Sequence, residues 1–360
     1  MASPPIPTPQ TVTPAWLTER LRDAGHADAE VRGFRATRIG TGQIGQCIRY
    51  QLDLAAGGEG VPRTLVGKFP SDDPISRQTG VQLRNYRKEV SFYRDLQARV
   101  GIRTPRCYFA EIVGEGPEHM LLLEDLAPAE QGDQLRGCSP AVARAAVLEL
   151  VGLHAPSWCD ASLRGVDWLG EPNELVVQIG RALYRAQLPA FLQRFASRLE
   201  PDEARIIEQV ADSQGPPFEA LGDVYGLVHV DYRLDNLMID EGSEPPAISV
   251  VDWQSLTLGN PLSDVAYFLG AGLLPDARRT EERAIVGAYH RALEQAGVAS
   301  YPVERCWRDY RRGAFAGFAV TVVASVMVQQ TERGDEMFTA MARRHARHAL
   351  DLGAEEFLGG

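Results

Sequence analysis

The sequence predicts an α+β chain of two lobes, a strand-rich N-lobe with an antiparallel sheet followed by a mostly helical C-lobe. Three observations predict it. Residues 47–54 alternate apolar and polar side chains, and residues 64–69 repeat a strand pattern, so the first part of the chain reads as sheet. From Leu262 onward the pattern is almost continuously helical. Between these parts lies the run His229-Val230-Asp231-Tyr232-Arg233-Leu234-Asp235-Asn236, and beyond it Val250-Val251-Asp252-Trp253.

Taken in order, residues 1–14 are rich in Pro and Thr and read as a loose tail, and residues 13–25 as a short amphipathic helix. Gly40-Thr41-Gly42-Gln43-Ile44-Gly45 is a literal GxGxxG. A dinucleotide site needs a helix directly after such glycines. Here a strand pattern follows, which suits a flap between two strands lying over phosphates. Lys68 sits in the next strand pattern, and Glu89 in a segment with helical spacing. Each alone reads as a solvated surface charge. The order glycine flap, strand, strand lysine, helix glutamate is that of a kinase N-lobe. Glu111 and Glu115 are weaker rivals for pairing with Lys68.

Residues 127–140 read as a linker, 141–154 as a helix, and 172–215 as helices in the segment expected to vary with substrate. Residues 227–230 form a short apolar run leading into the central loop. Residues 237–239 read as a strand leaving it, 242–246 as a turn, and 248–251 as the partner strand that delivers Asp252 beside Asn236. One carboxylate, one amide and a second carboxylate on short strands are the groups phosphoryl transfer requires: a base for a hydroxyl, and oxygen ligands for magnesium. This divides the chain into residues 1–34 (tail and helix), 35–126 (a nucleotide-binding N-lobe) and 127–360 (a C-lobe with the catalytic loop and acceptor-binding helices).

These motifs resemble those of the aminoglycoside phosphotransferase and choline kinase family, which has a bilobal protein-kinase-like fold, over roughly residues 35–350. Within it, the ecdysteroid-kinase-like branch and the phosphotransferase domains associated with acyl-CoA dehydrogenases are most similar. The resemblance is carried by His229, Asp231, Asn236 and Val251-Asp252-Trp253, by Leu122-Leu123-Glu124-Asp125-Leu126 as a hinge, by Leu153-His154-Ala155 with Trp158, and by Pro261, Asp264 and Ala266. Val230 stands where the family has glycine, and a β-branched residue restricts the backbone there.

The resemblance implies a role for each matching residue. Asp231 would orient or deprotonate the substrate hydroxyl, and Asn236 and Asp252 would ligate Mg2+. Lys68, held by Glu89, would contact the nucleotide phosphates. The segment containing Gly40, Gly42 and Gly45 would cover those phosphates, and backbone groups from Glu124 to Leu126 would meet the base. His229 would brace the loop, and Asp264 would receive its backbone amides. Arg233, close after Asp231, is a candidate for neutralising charge in the transition state; otherwise it is a surface arginine. The implied activity is transfer of the γ-phosphoryl group of ATP, or of GTP, to a small-molecule hydroxyl acceptor, moderately apolar rather than an aminoglycoside or macrolide. The other readings are a nucleotide-binding pseudokinase and a metal-dependent hydrolase built on His229, Asp231 and Asp252.

The net charge of −11 disfavours nucleic acid as a partner. Five scattered cysteines with no CxxC suggest reduced thiols and a cytoplasmic protein. Residues 313–328 are the longest apolar stretch, short of the roughly 20 residues a membrane span needs, and read as a buried helix. The histidines at 345 and 348 share an Arg-rich helix and read as a solvated face. Trp158, Trp168, Tyr184, Phe191, Phe195 and Trp307 line either an acceptor pocket or, for most of them, the core.

Overall fold

The alternating segments near the N-terminus become one antiparallel sheet. The computed structural model describes residues 6–40, 44–55, 60–328 and 330–359. Contacts divide the chain into two units: Met1–Ala98 with Thr104–Ala127 and Asp252–Ser255, and Arg99–Arg103 with Pro128–Val251 and Leu256–Gly360. A single boundary after residue 126 does not capture the exchange of those two short segments.

In the first unit, helix α1 (Pro14–Asp23) starts where Thr13 accepts a hydrogen bond from the Trp16 amide and Pro14 occupies the first turn. Strands β1 (Val31–Ile39), β2 (Gly45–Leu54) and β3 (Thr64–Pro70) follow, then helices α2 (Pro74–Gln82) and α3 (Asn85–Ser91), and strands β4 (Cys107–Ile112) and β5 (His119–Glu124). The sheet order is β1-β2-β3-β5-β4, every pair antiparallel. The face carrying Ile48, Tyr50, Leu52, Leu65 and Met120 buries Leu17 and Leu21 of α1. Ile6 and Val12 pack into the same cluster, so residues 6–13 are docked chain and not a loose tail. Their apolar side chains gain more from burial than the segment loses in freedom.

The segment Asp252–Ser255 is fixed in this unit by α3. Trp253 is fully buried and stacks on Phe92 at 3.8 Å between ring centroids and 9° between planes. Asn85 Nδ2 donates to the Gln254 carbonyl at 3.0 Å.

The second unit opens with β6 (Glu130–Gln131), α4 (Pro140–Glu149) and α5 (Val151–Ser157). Long helix α6 (Glu174–Phe195) and α7 (Pro201–Asp212) follow, then β7 (Gly226–Val228), β8 (Leu237–Asp240), β9 (Ala247–Val250) and β10 (Thr257–Gly259). Helices α8 (Leu262–Gly272), α9 (Pro275–Gln295), α10 (Val303–Gly313), α11 (Ala316–Met327) and α12 (Glu332–Asp351) complete it. Strand β8 pairs with β9 and β6, and β10 with β7, all antiparallel. The main core joins Tyr184, Phe191 and Phe195 of α6 to Ile207, Phe318 and Ala346 of neighbouring helices. Trp168 is also buried, while Trp158 and Trp307 are half-buried, so four of the six noted aromatics are core.

Helix α12 departs from expectation. His345 and His348 are buried, as is Arg344, whose guanidinium donates to the carbonyls of Gln134, Leu135 and Ala271. The Arg-His composition therefore marks an internal helix whose long side chains tie loops together, and not a solvated face. All five cysteines are free. No helix among the described residues is long and apolar enough to cross a membrane.

Two predictions follow from the packing. Trp253→Ala should destabilise the protein by about 3–5 kcal/mol, read from the denaturant midpoint, because it removes the ring stacked on Phe92. Burial lowers His119 to about 4 and His345 to about 3, from the usual 6.5. The unfolded chain therefore binds protons first as pH falls, so stability declines from about pH 6.5 downwards. A urea midpoint unchanged between pH 7 and about pH 5 would contradict the burial of two neutral imidazoles.

Candidate active site

The first unit gathers one ammonium and two carboxylates. Lys68 on β3 lies opposite Cys47 of β2 and Leu121 of β5 in the ladder. Its Nζ is 2.7 Å from Glu89 Oε1 on α3 and 2.7 Å from Asp252 Oδ1. Glu89 is buried, so its pairing with Lys68 replaces the solvated position an isolated helix glutamate would take. Neither rival competes among the described residues: Glu115 pairs with Arg84, and no ion pair joins Glu111 to Lys68.

Burial alone would push the Lys68 ammonium towards neutrality, but Asp252 and Glu89 outweigh it and hold its pKa above the usual lysine value. For Glu89, burial and the second carboxylate raise the pKa while Lys68 opposes them. The pair shifts in the same direction, and the lysine is the decisive member: with two acids at 2.7 Å it stays charged. Burial pushes the Cys47 thiol up to about 11, so it adds no charge. One ammonium against two carboxylates leaves a local excess of negative charge, which suits a divalent cation.

Asp252 adopts φ +69°, and its Oδ2 accepts from Gln254 Nε2 at 3.1 Å. Gly40 has φ +71°, a conformation that glycine adopts without strain, and ends β1. Gly45 opens β2, where a Cβ would lie 3.0 Å from the Phe69 carbonyl and 3.5 Å from Lys68 Cε. A side chain there would fill space above the lysine. Gly42, between them, lies outside the described residues. The Ile44 carbonyl anchors the far end of this segment by accepting from Ser71 N at 3.1 Å and Tyr86 Oη at 2.7 Å. At the end of β5 the Glu124 amide is spent on the Arg106 carbonyl, 2.8 Å away. Asp125 pairs with Arg49 at 2.7 Å, and Leu126 is half-buried just beyond.

The second unit builds a loop around one carboxylate. Asp264, in the first turn of α8, accepts from His229 N at 2.7 Å and Val230 N at 2.9 Å. Those two bonds hold Val230 at φ +72°, the left-handed region that glycine occupies without strain, which accounts for the glycine expected there. His229 Nε2 lies 3.1 Å from the Val251 carbonyl; since a carbonyl only accepts, that nitrogen carries the proton. The Val251 amide in turn donates to the Asn236 carbonyl at 3.0 Å.

Asp231 is held by three donors. Asn236 Nδ2 donates to its Oδ2 at 2.9 Å and to its backbone carbonyl at 2.8 Å. Tyr267 Oη donates to Oδ1 at 2.9 Å, and Arg233 Nε lies 3.0 Å from the same oxygen. Arg233 is thus no surface arginine: its other end meets Asp235 Oδ2 at 2.7 Å. Because the Asn236 amide turns its nitrogen to Asp231, its oxygen is the end left for a cation. Among the described residues no group of three or more His, Cys, Asp or Glu is placed to hold a metal by itself. Magnesium bound through one or two protein oxygens and substrate phosphates needs no such group.

The sequence had not singled out Tyr267 or Gln134. Gln134 is buried; its Oε1 accepts from Leu234 N at 3.0 Å and its backbone amide donates to Asp235 Oδ1 at 3.0 Å. The signal for Tyr267 was its place one helical turn after Asp264, on the same face. Nothing local marked Gln134.

Comparison with known proteins agrees with this geometry. The model of the phosphotransferase enzyme family matches residues 58–313, well over half of the chain, which therefore belongs to that family. That family is one of phosphotransferase enzymes. A choline kinase from Cryptosporidium parvum Iowa II superposes with a TM-score of 0.57 at 10% identity, covering 94% of this chain and 96% of that one. The GDP and kanamycin complex of APH(2")-IIia gives 0.51 at 11% identity, covering 84% and 90%. At these identities the likeness establishes the fold. A 52-residue stretch is 46% identical to a probable acyl-CoA dehydrogenase, IBR3, of Arabidopsis thaliana, covering 14% of this chain and 6% of that protein. A 42-residue stretch is 48% identical to acyl-CoA dehydrogenase family member 11 of Homo sapiens, covering 12% and 5%. The chain thus matches only a small fraction of the length of these curated relatives.

Val230→Gly should stabilise the protein by up to about 1.5 kcal/mol. It releases left-handed strain of about 1–2 kcal/mol against about 0.5–1 kcal/mol for the freedom glycine adds to the unfolded chain. A fall in the denaturation midpoint would show that the Val230 side chain stabilises more than its backbone costs.

Proposed function

We propose that this protein is a small-molecule kinase that transfers the γ-phosphoryl group of ATP to the hydroxyl of a moderately apolar alcohol. The observation that carries the reading is Lys68, half-buried and charged, paired at 2.7 Å with both Glu89 and Asp252. A solvated edge lysine has no such partners. Lys68 contacts the nucleotide phosphates, Glu89 keeps it oriented, and Gly40, Gly42 and Gly45 belong to the flap that covers them. The backbone from Glu124 to Leu126 serves the base. Asn236 and Asp252 would each offer an oxygen to magnesium, which would supply charge neutralisation at the phosphates.

Asp231 is the base. Each carboxylate oxygen accepts about two hydrogen bonds. Among the described residues Oδ1 already has two donors, Tyr267 and Arg233, whereas Oδ2 has one, Asn236. The remaining position on Oδ2 receives the acceptor hydroxyl and orients it for attack on the γ-phosphorus. Arg233 holds Asp231 in place and brings positive charge close to it. A hydrolase reading fits less well, because His229 Nε2 is spent on the Val251 carbonyl.

The acceptor reading rests on α6, in the segment expected to vary with substrate. Leu175, Val176 and Ile179 are exposed at its start, and Glu174 is its one acidic residue. Such a helix offers apolar contact and little to attract a polycationic sugar. The short matches to proteins named acyl-CoA dehydrogenases point towards a hydroxyacyl compound. The same site accommodates GTP in place of ATP, as the bound GDP of one structural neighbour illustrates.

Asp231→Asn should lower turnover by about 10²–10⁴-fold while nucleotide still binds; near-wild-type turnover would remove Asp231 from the role of base. Asp252→Ala should abolish both activity and magnesium dependence. Assay of ATP and GTP with magnesium against hydroxyacyl-CoA, steroids, choline, macrolides and aminoglycosides should show phosphorylation of an apolar alcohol. Preference for an aminoglycoside would overturn the acceptor assignment, and nucleotide binding without turnover on any acceptor would favour a pseudokinase.

A further inference from the structure

We propose that Tyr267, backed by His345, is a positioning residue for Asp231: its hydroxyl fixes the carboxylate so that Oδ2 is the oxygen presented to the acceptor. This rests on the reading of Asp231 as the base. The inference starts from α8. Asp264 and Tyr267 lie one turn apart on one face of that helix. Asp264 grips the backbone of the loop at His229 and Val230, and Tyr267 grips its reactive side chain at Oδ1, 2.9 Å away. One rigid element therefore sets both the path of the loop and the rotation of the carboxylate.

The phenol is well suited to the task. Its ring is buried, with 1% of its surface exposed. Burial, and then the adjacent Asp231 carboxylate, raise its pKa well above the usual phenol value, so it remains a donor. Asp231 cannot rotate without losing both Tyr267 and Arg233 from Oδ1.

Behind the ring lies His345 of α12, at 5.1 Å between centroids and 37° between planes. Neither of its ring nitrogens has a hydrogen-bond partner among the described residues. Burial keeps it uncharged, with a pKa near 3. Its imidazole fits only because residues 270 and 317 are glycines: a Cβ at Gly270 would come within 2.6 Å of His348 and 2.9 Å of His345, and one at Gly317 would overlap the His345 ring. His345 therefore acts as a wedge that holds Tyr267 by shape rather than by hydrogen bonding. A residue serving only to fill the core does not require a hydroxyl directed at Asp231.

The test is steady-state hydrolysis of Mg·ATP, with water as acceptor, by the full chain carrying Tyr267→Phe, Asp231→Asn or both, with Mg·ADP affinity and thermal midpoint measured alongside. Tyr267→Phe removes only the hydroxyl. It should lower kcat by about 10- to 100-fold, the usual range for one hydrogen bond to a charged group. KM for Mg·ATP and Mg·ADP affinity should remain unchanged, and the double variant should be no slower than Asp231→Asn alone. A kcat within about twofold of wild type, or losses that multiply in the double variant, would overturn the role of Tyr267 while leaving Asp231 as base. Wild-type turnover by Asp231→Asn would instead remove the base, and the positioning role with it. Should Tyr267→Phe lower the thermal midpoint substantially, His345→Gln, which disturbs the wedge without touching the hydroxyl, must reproduce the kcat loss at unchanged KM, or the proposal fails.

Discussion

A single ammonium held between two carboxylates is the constraint on which the rest depends. Desolvation makes these charges costly, and they are tolerated because the ammonium lies 2.7 Å from each acid. Removing either acid leaves a buried charge with half its compensation; removing the lysine leaves two like charges together. The arrangement therefore explains why β3 carries a lysine in an otherwise apolar strand and why α3 carries a buried glutamate. It also explains why the chain returns, far along the sequence, to deliver residues 252–255 to the first unit, with Trp253 stacked on Phe92 as the anchor.

The second unit solves a different problem. Asp231 is oriented and partly open. Three donors among the described residues orient it and leave one position on Oδ2 unfilled by them. The backbone cost of the loop is visible at Val230, whose left-handed φ is imposed by the two bonds to Asp264. Strain at such a position is stable only where surrounding bonds over-determine it, and here the buried Asp264, with His154 3.5 Å behind it, does so.

Much of this was legible in the sequence, because the signals were local. Strand alternation after the glycines separated a flap from a dinucleotide turn, and β2 begins at Gly45 as that reading requires. The strands around Asn236 and Asp252 were legible from short apolar runs broken by a turn, and β8 and β9 pair across it. What was not legible depends on contacts distant in sequence. The docking of Ile6 and Val12, the return of residues 252–255 to the first unit, and the burial of the α12 histidines have no local signature. Composition misled for α12 because buried arginine and histidine are tolerated when carbonyls and tyrosines elsewhere in the chain receive them. Tyr267 was missed although its spacing from Asp264 was in view, since a tyrosine in an apolar helix reads as core until its hydroxyl partner is known.

The central claim is that Lys68, paired with two carboxylates, holds nucleotide phosphates together with a divalent ion. Calorimetric titration of ATP into wild type and Lys68→Met, with and without magnesium, tests it most directly. Tighter binding with magnesium than without in the wild type, and loss of ATP binding in the variant, is the predicted result. Equal affinity in both proteins, indifferent to magnesium, would contradict it and reduce Lys68, Glu89 and Asp252 to a structural ion cluster.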